Sequence, residues 1–460
     1  MKSKKVSIWA SALLISCSLW TELQGQSLDP ELIMLIDRAK TKSHAIKIND
    51  LSIEQNKLDA QMAKNTFLPK FSVSGSYTRL DQDIRFDSNL EQLLTGTEKL
   101  LIKEAKGVPF NTALPAGVPT SEIPALLDRN VFKSAVDMDW VLFSGTKVSN
   151  ALKATQHKEK ALQYANTKEE NGLVMKIIDT YDKLGLVVAS EKVLNSSEAY
   201  LKEQEKFVNG AVENGLATPL DRRKVALARH QLETKRVGVQ NNKSLLLAAL
   251  EQLTGENLAT LTGLEPRIEK MYVDMQAEDS RRSELLALEE VIKATDYQIK
   301  MEKSQYIPAV AARGHYEILK NDLSLLDPNW YVGVGVKWNL FDGNEARNKA
   351  RKATAEKMKY EQQLLEAEEM IALSQTKAKL SLASANKKIE MNEEEVSLTR
   401  QMYEFVDKQY RNGLTTVTEV VEALNDVEKA EFNLYTAYYE QRKAGVDLMQ
   451  AKGLLQTISQ

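Results

Sequence analysis

The chain of 460 residues holds one cysteine, Cys17, so disulfide and thiol chemistry are excluded from everything past its N-terminal segment. Its ten prolines are unevenly placed: none falls between Gly145 and Pro219, and none after Pro328. Gaps of that length leave room for helices far longer than those of a globular domain. Past the N-terminal segment no run of about 18 apolar residues occurs, which excludes a transmembrane helix. Neither sign of charge dominates. The formal net charge is −3, or −5 once residues 1–26 (Lys2, Lys4, Lys5 and Glu22) are set aside, which gives no electrostatic case for a nucleic-acid partner. The four histidines, His44, His157, His230 and His315, show no metal-ligand spacing. No glycine-rich phosphate loop and no serine or cysteine nucleophile motif occurs either, so no enzymatic chemistry, metal or cofactor is expected.

What the chain has, first, is an export signal over residues 1–26: three lysines, an apolar stretch over 6–20, then Leu23-Gln24-Gly25 as a cleavage site. Leu14-Ile15-Ser16-Cys17 also fits a lipobox, which makes Cys17 a candidate for lipidation; removal of Cys17 with the signal is the alternative. An exported Gram-negative-type protein without a spanning helix is either periplasmic or a barrel.

Second, the chain repeats itself. Trp140-Val141-Leu142-Phe143-Ser144-Gly145 returns as Trp338-Asn339-Leu340-Phe341-Asp342-Gly343. The same offset of 198 carries Asn214-Gly215-Leu216 onto Asn412-Gly413-Leu414 and Gly255 onto Gly453 (338 − 140, 413 − 215, 453 − 255). One structural unit has been duplicated. The organisation expected is a signal peptide, 1–26, and a first repeat, 27–255, with a helix, two strands separated by a long loop (81–130) and a helical hairpin with its tip near 209–218. An inter-repeat segment, 256–279, follows, then a second repeat, 280–460, with a helix, strands 308–320 and 329–341, and a hairpin with its tip near 411–416.

Four segments alternate with period two. Phe71, Val73, Gly75 and Tyr77 alternate with serines, and Val136, Met138 and Trp140 with Asp137 and Asp139. Val310, Ala312, Gly314, Tyr316 and Ile318 form one face of a third strand, and Trp330, Val332, Val334, Val336, Trp338 and Leu340 one face of a fourth. Each has the length of a tilted membrane-crossing strand, although an ordinary half-buried sheet alternates in the same way. Tyr77, Trp140, Tyr316, Trp330 and Trp338 could form an interfacial aromatic belt. Four strands cannot close a membrane barrel, and open edges are not tolerated in lipid, so strands in a membrane require several subunits to share one barrel. The loop 81–130 holds Pro109, Pro115, Pro119 and Pro124 and a short helix near 90–106, whereas the matching connection, 320–329, is short.

The helices follow. Residues 146–208 read as one helix of roughly 95 Å at 1.5 Å per residue. Ala378, Leu382, Ala385, Ile389, Asn392, Val396, Thr399, Tyr403, Val406 and Tyr410 form a 4-3 seam. Val420, Leu424, Val427, Glu431, Leu434, Tyr438, Gln441, Gly445 and Leu448 return it. The many small and polar seam residues suggest helices packed side by side in a wide tube. At the tips, Asn214-Gly215 and Asn412-Gly413 break the incoming helix, and Thr218-Pro219-Leu220-Asp221 and Thr416-Val417-Thr418-Glu419 read as N-caps with an acid three residues on. Capping alone would justify Asp221 and Glu419. Glu422 extends the acidic side beyond the cap.

Signal, duplicated strand–hairpin units and barrel-type strands together resemble the TolC family of outer-membrane efflux proteins. The resemblance covers about residues 28–455 and rests on the Phe67-Leu68-Pro69 and Tyr306-Ile307-Pro308 helix-to-strand junctions, the two Trp-x-Leu-Phe-x-Gly exits and the two Asn-Gly-Leu tips. It implies a mainly α protein with a membrane β-barrel: a homotrimer whose four strands per chain build a 12-stranded barrel, continued by a coiled-coil α-helical periplasmic tunnel. Segment 256–279 would join an equatorial collar. The implied role is the exit channel of a tripartite efflux or type I secretion system. Its partners would be outer-membrane lipid, a periplasmic adaptor docking on Asn214, Gly215, Leu216, Asn412, Gly413 and Leu414, and an inner-membrane transporter of RND or ABC type. The resemblance also implies a gate at the periplasmic mouth: Tyr410, Glu419 and Glu422, with Asp221 bonding the tyrosine. Thr415 stands where the family can carry a gating arginine, which departs from a salt-bridge lock. No Met or His ladder favours metal cargo. A periplasmic adaptor would show one hairpin and a lipoyl-like β-domain; a trimeric coiled-coil adhesin stalk would not double back.

Overall fold

The computed structural model describes residues 29–114, 125–276, 278–319 and 328–455. The expected signal with Cys17, loop residues Pro115, Pro119 and Pro124, and connection residues 320–327 lie outside the described residues. In chain order the elements are α1 (Pro30–Lys42), α2 (His44–Asn65), β1 (Lys70–Arg79), α3 (Ser88–Ala105), β2 (Asn130–Phe143), α4 (Lys147–Glu213) and α5 (Pro219–Thr254). Then come α6 (Leu258–Leu261), α7 (Ser283–Lys303), β3 (Ala309–Leu319), β4 (Trp330–Lys337), α8 (Glu345–Arg411) and α9 (Val417–Ala451).

The duplication is exact for the two long incoming helices. Both α4 and α8 contain 67 residues, and the sequence offset carries the bounds of one onto the other. Helix α4 runs past the expected end at 208, because Gly210 stays helical and the break is made by Gly215 at φ 74°. Strand β4 stops at Lys337, four residues before the expected end at 341, so Trp338 lies just beyond it.

Packing does not follow the repeats. The chain forms two units, each drawn from both halves. One comprises Met1–Ile46, Lys168–Arg282 and Met370–Gln460. Its main core joins Leu32, Leu35, Ile36 and Ala39 of α1 to Ile177, Tyr181 and Leu184 of α4 and Leu250 of α5. Asp29 caps α1, and its carboxylate also accepts the Tyr181 hydroxyl at 2.7 Å. At the other end of α1 the Lys42 ammonium donates to the final carbonyls of α5, Glu251 O and Gln252 O, at 3.0 and 2.8 Å. The expected seams are buried at Leu382, Ile389, Tyr403, Val420, Leu424 and Leu448. A second row on α9, Ala423, Ala430, Ala437, Ala444 and Ala451, is buried as well, so this helix packs on two sides.

Two seam residues have a cause other than side-by-side helices. Gln441 accepts from Met271 N at 2.9 Å and donates to Met271 O at 2.7 Å, pairing its amide with a backbone as a strand would. A Cβ on Gly445 would lie 2.8 Å from Val273 Cγ2, and one on Gly185 of α4 would lie 3.4 Å from Pro266 O. The inter-repeat segment thus crosses α4 and α9 where a side chain is missing or serves as a clamp. At Gln441 and Gly445 the polar and small seam positions therefore answer to this crossing segment.

The second unit comprises Lys47–Thr167 and Ser283–Glu369 and holds an open antiparallel sheet in the order β1-β2-β3-β4.

Candidate functional site

The pairing register sorts the strands into two chemically opposite faces. Cross-strand partners point the same way, so Ser72↔Asp137↔His315↔Tyr331 form one polar row and Lys70↔Asp139↔Arg313↔Gly333 the next. On this face Arg313 pairs with Asp139 at 2.9 Å, and His315 Nδ1 lies 2.8 Å from Asp137 with its ring stacked on Tyr331. The other face carries Phe71↔Met138, Val73↔Val136, Gly314↔Val332, Ala312↔Val334 and Val310↔Val336. It is apolar yet uncovered: Val73 is 74% exposed and Val334 68%. A soluble sheet turns its apolar face inward; this one presents it outward, and among the described residues its first and last strands each leave an edge without a partner.

The expected aromatic belt divides into two groups. Tyr77, Tyr316 and Trp330 sit at the loop ends of their strands, Trp330 paired with Tyr316 and Tyr77 packed on Phe132. Trp140 and Trp338 lie at the helix ends and do something further. Trp140 Nε1 donates to Phe67 O at 2.9 Å, and Trp338 Nε1 to Tyr306 O at 3.0 Å. Each indole therefore ties a strand exit to the helix-to-strand junction before a proline. Gly145, at the end of the first strand exit, lies close on the second junction: at φ 63°, a Cβ there would lie 2.8 Å from Ile307 O.

The hairpin tips are matched Schellman turns. Gly215 N donates to Val212 O (3.1 Å) and Leu216 N to Ala211 O (2.8 Å); Gly413 N donates to Tyr410 O and Leu414 N to Gln409 O, both at 2.9 Å. Asn214 adds a side-chain bond to Gly210 O at 2.8 Å, and Asn412 bonds through its backbone to Lys408 O at 3.2 Å. A Schellman turn usually packs the residue after its glycine on the helix. Here Leu216 is 83% exposed and Leu414 75% exposed.

The acids beyond the tips differ. Thr218 and Asp221 form a reciprocal capping box, Asp221 accepting the Thr218 backbone N–H (2.9 Å) and hydroxyl (2.7 Å). Those bonds hold its carboxyl below the usual aspartate range. Thr416 caps α9 through Glu419 N, but the Glu419 carboxylate accepts from the Thr415 hydroxyl. Lys224 joins the hairpins by donating to Thr418 Oγ1 at 2.5 Å. Glu422 is exposed on α9.

Tyr410 does not bond Asp221 within the chain: Asp221 is committed to its cap, and the buried Tyr410 hydroxyl has no partner among the described residues. The ring meets Phe207 edge-on at 5.5 Å and packs on Val208, Val225 and Val417. Burial, then the Asp221 charge, pushes the phenol pKa up. Nothing in the sequence singled out the ion network beside it. Arg411 pairs with Asp407 and with Glu203 of α4, both at 2.8 Å, and Gln204 also bonds Asp407. The arginine near this tip precedes the glycine instead of following it, and its partners lie in the same chain.

Duplicated hairpins and an outward apolar sheet are the plan of outer-membrane channels. Residues 275–454 match the family model described as outer membrane efflux protein. Most of the chain shares its fold with solved outer-membrane proteins. VceC of Vibrio cholerae is 15% identical, with 93% of this chain and 97% of that chain covered at a TM-score of 0.72. The CmeC outer membrane channel of Campylobacter jejuni is 16% identical over 92% and 86%, at 0.69. The open-state MtrE outer membrane channel of Neisseria gonorrhoeae is 14% identical over 94% and 91%, at 0.66. No curated protein sequence matches the chain.

Proposed function

We propose that the chain is one subunit of a homotrimeric exit channel in the outer membrane of a Gram-negative bacterium, reached by export on its N-terminal signal. The observation that carries this reading is the sheet with one uncovered apolar face and two free edges. In lipid such edges must be paired, and 3 × 4 strands give a 12-stranded barrel with the apolar face outward and the Asp137–His315 and Asp139–Arg313 row inward. The hairpin helices then stand in the periplasm as a tunnel. The exposed Leu216 and Leu414 serve as contacts for a periplasmic adaptor, which links the channel to an inner-membrane transporter. Threefold symmetry would bring Glu419 and Glu422 into acidic rings at the mouth and focus cations there. The channel role assigns no chemistry to any residue, so the protein is read as a conduit and not an enzyme.

In mild detergent the full chain should sediment as three copies and should conduct ions across a planar bilayer. A monomer that stays soluble without detergent would sink the reading in favour of an adaptor or a stalk.

A further inference from the structure

The unit that carries the hairpin tips also contains a groove of about 700 Å³, within the usual size of ligand sites. It opens where the inter-repeat segment crosses α4 and α9, and no role in conduction accounts for its lining. Lys192 of α4 and Arg267 and Lys270 of the crossing segment converge on it, with Glu269 the only acid among the lining residues. Several other cations of this unit are held in pairs: Lys243 by Glu191, Arg236 by Glu198, Arg442 by Asp182 and Arg400 by Glu431. Among the described residues these three make no hydrogen bond or ion pair; Lys270 acts only at a distance, lowering the Glu390 pKa. For a chain of net negative charge, three unspent cations on one groove mark a place for an anion.

The other wall is aromatic. Tyr435 and Tyr438 stand edge to face with centroids 6.3 Å apart, both half-buried, and Tyr438 is fixed by donating to Glu393 at 2.9 Å. Fixed phenol rings beside cations suit a ligand that has both flat apolar faces and carboxylates. The groove's backbone is fixed too, because Gln441 clamps Met271 and Gly185 lets Pro266 lie close on α4. We propose that this groove binds an anionic glycan, sugar rings carrying carboxylate-bearing peptide stems, of the kind that forms the cell wall. The identification of that glycan rests on the periplasmic placement above; the anion and ring chemistry do not. Such a contact would hold the channel at a fixed level in the wall while leaving its tips free for a partner.

The test uses the detergent-solubilised full chain and purified cell-wall sacculi in a co-sedimentation assay at near-physiological salt. The wild type should be retained and should be displaced by soluble muropeptides but not by neutral chitin oligomers. Lys192→Glu, Arg267→Glu and Lys270→Glu together should weaken retention about tenfold or more, with sedimentation and conductance unchanged. Tyr435→Ala with the three cations intact should weaken it less and should make neutral and charged fragments compete alike. No retention of the wild type, retention of the charge-reversed variant, or displacement by polyglutamate as readily as by muropeptides would each overturn the proposal. Because conductance is read on the same samples, a channel that conducts but ignores sacculi refutes only the groove, whereas a non-conducting monomer refutes the channel.

Discussion

The two hairpin tips have the same backbone and different chemistry. Gly215 and Gly413 share φ 74°, both turns are Schellman turns, and both outgoing helices start on a threonine cap. Yet Asp221 returns the bond to its own cap, while Glu419, one methylene longer, reaches to Thr415. Duplication has preserved what the chain needs in order to turn and has released what the second tip can use for something else. An acid that completes a cap is a structural part; an acid that leaves the cap to another group is available to a gate.

The largest break of this comparison comes from the other matched glycines. Gly453 has φ 76°, and a Cβ there would lie 2.5 Å from the backbone Ser280 O, whereas a Cβ on Gly215 or Gly413 would meet nothing within 4 Å. Gly453→Ala should therefore cost on the order of 3 kcal/mol, backbone strain plus overlap, and Gly215→Ala or Gly413→Ala about 1 kcal/mol from strain alone. Thermal melts of the detergent-solubilised protein check both values. Equal losses at all three positions would mean that the close approach to Ser280 is relieved at no cost.

Next in size are the caps. Thr218 is bonded in both directions, with the Asp221 N–H at 3.3 Å, while Thr416 only accepts, at 3.5 Å. Thr218→Ala should cost about 1.5 kcal/mol and Thr416→Ala about 0.5 kcal/mol. If the order reverses in chemical denaturation, the tips are not energetically distinct in the way their bonds indicate.

Much of this was legible beforehand, for reasons that differ by element. Strands β1 and β2 follow from alternation, and the hairpins from the missing prolines and the repeated Asn-Gly-Leu. Where the sequence misled, a local signal was outweighed. Gly210 resembles a tip but stays helical, and Trp338 continues an alternating pattern yet lies outside β4, held by Tyr306 O. The groove and the Gln441–Met271 clamp could not be read because segment 256–279 has neither period nor counterpart in the other repeat. Only its effects on α9, an amide and a glycine in an apolar seam, are visible, and they also fit a different cause. The candidate gate was legible in its residue types but not in its bonds, since Asp221 has two possible partners and one sequence does not choose between them.

That choice sets the next prediction. The Thr218 bonds lower the Asp221 pKa, so the cap's contribution is full above the ordinary aspartate value, about 3.9, and is lost as pH falls through the lower folded-state value. Asp221→Ala should cost about 0.5–1 kcal/mol at pH 7 and progressively less as the medium becomes strongly acidic. Glu419→Ala should cost less at pH 7, because Glu419 does not close its cap. Melts of the two variants across pH 3 to 7 measure the difference, and a pH-independent loss at Asp221 would mean that packing and not charge holds the cap.

The smallest effect on stability falls on Tyr410, and it is the most informative. A buried hydroxyl without a partner costs the folded chain its hydration and returns nothing, so Tyr410→Phe should leave the melting temperature unchanged or slightly higher. The ring contact with Phe207 and the valine cluster survives the change. Were the hydroxyl bonded to Asp221, as the family resemblance implies, the same variant should lose about 1 kcal/mol, and Asp221→Ala should remove that loss in a double-mutant cycle. Single-channel recording adds the third possibility: a partner supplied by another subunit at the mouth. In that case Tyr410→Phe raises open conductance while the melt of the isolated subunit stays flat. A flat melt with unchanged conductance would mean that the second tip is held by its ring packing and by the Arg411 network, and that the lock lies one turn before the tip and not at the tyrosine hydroxyl.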